Sequence, residues 1–183
     1  MALIDVLIVV DALNIVRNFP RNNGGRGQNP YVSLGEASSL NYLYMLAPRV
    51  DVISDEGDAG IDIRAKAGDI IRWRMTTMSE GTGFSCFMTH FVFTSDPYNS
   101  LTPPEQKYRT VTTLQIDKNA PMLKGVAPIT RDDFYWESTV KNAGRVVYHG
   151  EFLLFAPSDD CDGGGTGGTG DPYGGFQWDP AVN

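Results

Sequence analysis

The amino-acid sequence predicts an all-β protein, an antiparallel β-sandwich of about seven to nine strands with a jelly-roll or an immunoglobulin- or cupredoxin-like arrangement. Three observations predict it: alternating apolar and polar residues, turn residues between short apolar runs, and the absence of a helical period over ten residues. The alternation is clearest in residues 60–78, where Ile71 and Trp73 are predicted on one strand face and Arg72 on the other.

Apolar or alternating runs mark the candidate extended segments from which these strands are expected, at residues 3–10, 40–46, 50–54, 61–67, 71–76, 84–94, 108–116, 134–141, 145–155 and 176–180. Asn142-Ala143-Gly144 is a turn signal, so the strands on either side of it are predicted to pair as a hairpin. Flexible loops are predicted near residues 17–30 and 159–175, which are rich in glycine and polar residues. The three tryptophans, Trp73, Trp136 and Trp178, are predicted in the core.

The length of 183 residues predicts one domain over residues 1–183. A formal net charge of −7, with scattered basic residues, argues against a nucleic-acid partner or an anionic membrane surface. No apolar run approaches the roughly 20 residues that span a bilayer. The start lacks a basic region before its apolar run, and the chain has two cysteines, Cys86 and Cys161. These features predict a cytoplasmic protein in which Cys86 and Cys161 form no disulfide.

Several short motifs follow one another along the chain. They are Asp5-Val6-Leu7-Ile8-Val9-Val10-Asp11, Ala67-Gly68-Asp69-Ile70-Ile71-Arg72-Trp73, Phe134-Tyr135-Trp136 with Val140, Asn142 and Gly144, Tyr148-His149, and Trp178-Asp179-Pro180. In this order they resemble the PixA/AidA inclusion-body protein family of bacteria. The resemblance implies a small, non-catalytic cytoplasmic protein of a family in which some members collect in inclusions and some are tied to quorum-controlled or host-associated behaviour.

A copper site is one candidate. Cys86, Met88 and His90 alternate along a predicted strand and would share one face, and His149 is the other histidine of the chain. A blue-copper centre uses such ligands, but in a different order along the chain. The sequence therefore favours Cys86 and Met88 as core residues and His90 as a hydrogen-bonded polar residue, and no cofactor is predicted.

An acidic cluster in the glycine-rich segment is a second candidate. Its members are Asp159, Asp160, Asp162 and Asp171. Carboxylates are the ligands that Ca²⁺ prefers, but the spacing is not that of an EF-hand. A solvated loop is the favoured interpretation.

A ligand surface on the polar face of the sheet is a third candidate. Tyr135, Glu137 and Thr139 would lie beside His149 and Glu151 on the neighbouring predicted strand. An aromatic ring next to hydrogen-bonding groups suits a carbohydrate. The alternative is ordinary cross-strand pairing on a solvent-exposed sheet face.

Catalytic motifs are absent from the sequence: there is no GxSxG, no P-loop and no HExxH. The first hypothesis is therefore a non-enzymatic, self-associating protein, at least dimeric, because an open sandwich has edge strands that must be covered or paired. The second hypothesis is a carbohydrate or small-ligand binding module, assisted by Ca²⁺.

Overall fold

A computed structural model of the chain describes residues 1–22, 31–35, 41–79, 83–117, 125–157 and 172–179. The elements are β1 (Leu3–Val10), α1 (Ala12–Asn18), β2 (Val32–Ser33), β3 (Leu43–Leu46), β4 (Val52–Ser54), β5 (Asp62–Ile63), β6 (Ile70–Thr77), β7 (Ser85–Ser95), β8 (Glu105–Ile116), β9 (Val126–Thr139), β10 (Val147–Phe155) and β11 (Gly174–Trp178). The predicted all-β class is confirmed.

Two sheets form the sandwich. Sheet A has the strand order β3-β1-β6-β9-β8, sheet B has the order β2-β11-β10-β7, and β4 and β5 form a separate two-stranded ribbon. Both sheets are mixed, since β1 runs parallel to β6 and β11 runs parallel to β2. The prediction of purely antiparallel pairing is wrong for these two pairs, because the alternation within a strand carries no information about the direction of its neighbour.

The inner faces of the two sheets meet in one apolar cluster. β1 contributes four buried side chains, Ile4, Val6, Ile8 and Val10, and sheet B contributes Phe91, Phe152, Phe176 and Trp178. Trp73 and Trp178 are buried, and Trp136 packs against the same cluster, so the prediction for the three tryptophans is confirmed. Burying such side chains is the main favourable contribution to folding.

The short helix α1 was not predicted. Asp11 caps it by accepting a hydrogen bond from the backbone N–H of Asn14 at 3.1 Å, and the chain turns extended at Phe19. Seven residues are too few for a helical period to be visible in the sequence. The predicted loop near 17–30 therefore begins after Asn18, and its residues 23–30 lie outside the described residues.

β8 and β9 form a hairpin that extends beyond the sandwich. Only Trp136–Thr139 of β9 pairs with β6, whereas the ladder with β8 continues to the pair Ile116–Val126. We call residues 108–116 and 126–134 the hairpin arm. The predicted strand at residues 134–141 included only the part of β9 in which alternate side chains pack into the core.

The hairpin predicted around Asn142-Ala143-Gly144 is wrong. β9 belongs to sheet A and β10 to sheet B, so the chain crosses between the sheets after Thr139. The predicted strand at residues 61–67 is also shorter than expected, because only Asp62 and Ile63 pair, and they pair with β4. In both places the pattern shows an extended segment but not its partner.

Replacing Gly150 with alanine is expected to destabilise the fold by about 1–3 kcal/mol. An added Cβ would lie 2.0 Å from the Trp178 ring, which is fully buried. Urea denaturation of Gly150→Ala measures the loss. Gly83→Ala is the matched control, because its Cβ would meet nothing closer than 3.6 Å. Equal stability of the two variants would contradict the prediction.

Candidate functional site

The residues predicted to form a ligand surface lie on two different sheets. Tyr135 and Glu137 belong to β9 in sheet A, and His149 and Glu151 belong to β10 in sheet B. The prediction that these strands are neighbours is wrong, because the chain crosses between the sheets before β10. The four side chains therefore form no common surface.

On the outer face of sheet A, charged side chains form two ion-pair networks. Asp133 accepts two hydrogen bonds from Arg74, at 2.7 and 2.9 Å, and one from Arg109 at 3.0 Å. Glu137 binds Arg72 at 2.6 Å and Lys107 at 2.7 Å. Arg74 also donates to Asp5.

Tyr135 lies between these networks. The guanidinium groups of Arg72 and Arg74 lie 4.7 and 5.2 Å from its ring centroid, within the range of cation–π contact. They cover the ring, which is only 7% exposed although it is on the outer face. The tyrosine predicted as an exposed sugar platform is thus occupied by the protein's own arginines.

Asp133 and Glu137 remain charged. The hydrogen bonds from Arg74 and then Arg109 lower the pKa of Asp133 despite its partial burial. Burial would raise the pKa of Glu137, but the hydrogen bonds from Lys107 and Arg72 outweigh burial and lower this pKa. A carboxyl with a lowered pKa is a poor general acid or base near neutral pH. This face therefore contributes to structure.

His149 joins β10 to the segment after β11 on the outer face of sheet B. Its Nδ1 lies 2.8 Å from Asp179 and its Nε2 lies 3.3 Å from Glu151. Burial alone would lower the pKa of His149, but the two carboxylates outweigh burial and raise the pKa above 6.5. The protonated ring donates to both acids, so the group acts as a clamp on the last strand.

The residues of the copper hypothesis point to opposite sides of sheet B. Met88 is buried and Cys86 packs against the core, whereas His90 is exposed and His149 lies on the outer face. A register shift in the ladder between β7 and β10, near Thr89, reverses the alternation. Burial also raises the pKa of the Cys86 thiol to about 12, which keeps it protonated.

The acidic cluster of Asp159, Asp160, Asp162 and Asp171, like Cys161, lies outside the described residues. Within the described ranges, no three His, Cys, Asp or Glu side chains are arranged to hold a metal ion. None of the helices in the part of the chain that the structure describes is long and apolar enough to cross a bilayer.

The hairpin arm exposes apolar side chains on the face that continues from the core. Tyr108 and Phe134 are paired across the arm, with ring centroids 5.9 Å apart, and Leu114 is 71% exposed. Ile116 and Val126 form a second exposed pair near the far end. The sequence predicts a strand at residues 108–116, but it does not reveal that the apolar face of the arm extends past the opposite sheet.

A cleft of about 760 Å³ opens between the sheets beside the β4–β5 ribbon. Its walls include Trp73, Phe93 and Tyr148, and three aspartates lie at its edge. The sequence does not reveal this cleft, because its walls come from segments far apart in the chain. The local signal is that Asp55, Asp58 and Asp62 lie close together in the sequence.

Comparison with known proteins gives a consistent result. The family model described as "PixA: Inclusion body protein" matches residues 2–183. A crystal structure titled as an inclusion body protein (PixA) from Burkholderia cenocepacia J2315 is similar, with a TM-score of 0.69 and 21% sequence identity. The match covers 99% of this chain and 96% of that one. No curated protein matches the sequence.

Removing the imidazole of His149 is expected to lower stability by about 1 kcal/mol in acid and less in alkali. Below the unfolded pKa near 6.5 the ion pairs contribute fully, and the contribution is lost as pH rises through the raised folded pKa. Urea denaturation of His149→Gln from pH 5.5 to 9 measures the difference. His90→Gln is the control, and a pH-independent difference for His149→Gln would contradict the assignment.

Proposed function

Because the chain belongs to the PixA family of inclusion body proteins, we propose that it is a non-enzymatic cytoplasmic protein whose copies associate with one another through the hairpin arm. The observation that carries the proposal is the exposed apolar face of the arm. A two-stranded hairpin alone is marginally stable in water. Association through the edge of the arm would add strands to its sheet and would bring the apolar side chains of two copies into contact.

β8 is an edge strand of sheet A, and it is twelve residues long. An edge strand presents unpaired backbone N–H and C=O groups along one side, which is a template for another strand. A second copy supplies an identical strand, and a two-fold axis pairs the two antiparallel. The two apolar faces then lie on the same side of a continuous sheet.

One register suits the side chains. A two-fold axis through Thr112 sets Tyr108 opposite the second copy's Ile116, an aromatic residue against a β-branched one. It also sets Lys107 opposite Asp117, and it opposes no like charges between residues 107 and 117. Shifting the strand by one residue would instead turn the apolar face of one copy to the opposite side.

Replacing Ile116 with lysine is expected to weaken self-association at least about tenfold, because it places an ammonium group in the apolar contact. Light scattering after size-exclusion chromatography, over a dilution series, measures the effect. Ile53→Lys is the matched control, since Ile53 and Ile116 are both 60% exposed and only Ile116 is in the arm. A wild-type chain that is strictly monomeric at tens of micromolar would refute the proposal.

Cysteine crosslinking tests the register. In a chain with Cys86→Ala and Cys161→Ser, Thr112→Cys is expected to give a disulfide-linked dimer under mild oxidation, because Thr112 pairs with itself across the axis. As single variants, Thr110→Cys would lie opposite Leu114 of the second copy, and Leu114→Cys would lie opposite Thr110. Neither variant is therefore expected to form a disulfide-linked dimer. Maximal crosslinking at another residue of β8 would contradict this register, and no crosslinking anywhere along β8 would contradict pairing through this strand.

The resemblance also implied quorum-controlled or host-associated behaviour, and we keep this as part of the proposal. It is supported by family membership alone. Comparing the amount of the protein and of its deposits between sparse and dense cultures of the source bacterium tests it, and equal amounts would contradict it.

A further inference from the structure

The cleft beside the β4–β5 ribbon has the size and the walls of a small-molecule site. Its volume of about 760 Å³ lies within the roughly 300–1,000 Å³ of typical ligand pockets. Walls come from both sheets, through Ile71 and Trp73 of β6 and Phe93 of β7, and from the crossing segment at residues 140–147. A ligand there would contact the inner faces of both sheets.

Apolar surface in the cleft is left accessible. Ile61, Ile63, Phe93, Leu101, Val146, Val147 and Tyr148 line it and are only half-buried. The hydroxyl of Tyr148 is already engaged, donating to the sulfur of Met45 at 3.0 Å and to the carbonyl of Ala59 at 3.4 Å. Tyr148 therefore offers its ring to a ligand rather than its hydroxyl.

The edge of the cleft is acidic. Three carboxylates, Asp55, Asp58 and Asp62, and one guanidinium, Arg145, line it, which gives a net charge of −2 from three negative groups and one positive. The hydroxyl of Ser54 lies 3.0 Å from Asp55 and 2.8 Å from Asp62 and holds these two acids close together. Negative potential at the mouth of an apolar cleft attracts cations and repels anions.

We infer that this cleft binds a small organic cation with an apolar body, such as an alkyl or arylalkyl amine. The body fills the space between the two sheets, and the ammonium group stays at the edge beside Asp55, Asp58 and Asp62. Stacking on Phe93 and Tyr148, which line the cleft and are half-buried, also favours a cation with an aromatic ring. An anionic ligand of the same shape would bind more weakly, because its charge would face the same carboxylates.

Calorimetric titration of the full chain with n-alkylammonium ions from butyl to decyl tests the inference. Each added methylene is expected to tighten binding by up to about fourfold until the cleft is filled. The n-alkanoates of equal length are expected to bind at least about tenfold more weakly than the amines. Equal affinity for amines and alkanoates, or no binding of any amine, would overturn the inference.

Variants locate the site. Asp62→Asn is expected to weaken amine binding about threefold and to leave the binding of the n-alkanols unchanged, with Asp132→Asn in the arm as the control. Ala143→Trp, at the exposed mouth, is expected to block all three ligand series, with Ala127→Trp in the arm as the control. Ala65→Trp inside the cleft gives an independent block. Binding that survives both tryptophan variants would place the ligand elsewhere and overturn the inference.

Discussion

The crossing of the chain from sheet A to sheet B, between Thr139 and Val147, is the constraint that decides which strands share a surface and where the cleft lies. Two backbone hydrogen bonds of 2.8 Å anchor its start, from Gly68 to Val140 and from Val140 to Asp69. Gly144 then passes so close to the Ser100 hydroxyl that a Cβ would lie 2.2 Å from it. The crossing separates the acids of β9 from those of β10 and forms one wall of the cleft.

The outer face of sheet A differs from the arm and the cleft, because its charged side chains are already paired with one another. On sheet A, Asp133 and Glu137 bind four basic side chains, so these charged groups already have partners and are poorly placed to bind a ligand. The arm and the cleft have exposed apolar surface instead, and apolar surface gains the most from a partner. Function is therefore better sought there.

Alternation in the sequence predicted which residues of β6 and β9 enter the core, because the period of two is a local property of each strand. It could not show that β9 and β10 belong to different sheets, since pairing depends on contacts distant in sequence. Nor could it show that the ladder near Thr89 shifts its register and sends His90 outward. The predicted sugar surface failed because β9 and β10 belong to different sheets. The copper site failed because the register shift sends His90 outward.

The two proposed surfaces lie toward opposite ends of the sandwich. β9 runs antiparallel to β6, and Trp136 pairs with Trp73, so the residues of β9 before Trp136 extend toward the Thr77 end of β6. The cleft is lined by Ile71, near the other end of β6, and by no residue of the arm. Copies joined through β8 would therefore keep their clefts open. An assembly of this protein could bind a small cation without dissociating, because pairing through β8 and binding in the cleft use different residues.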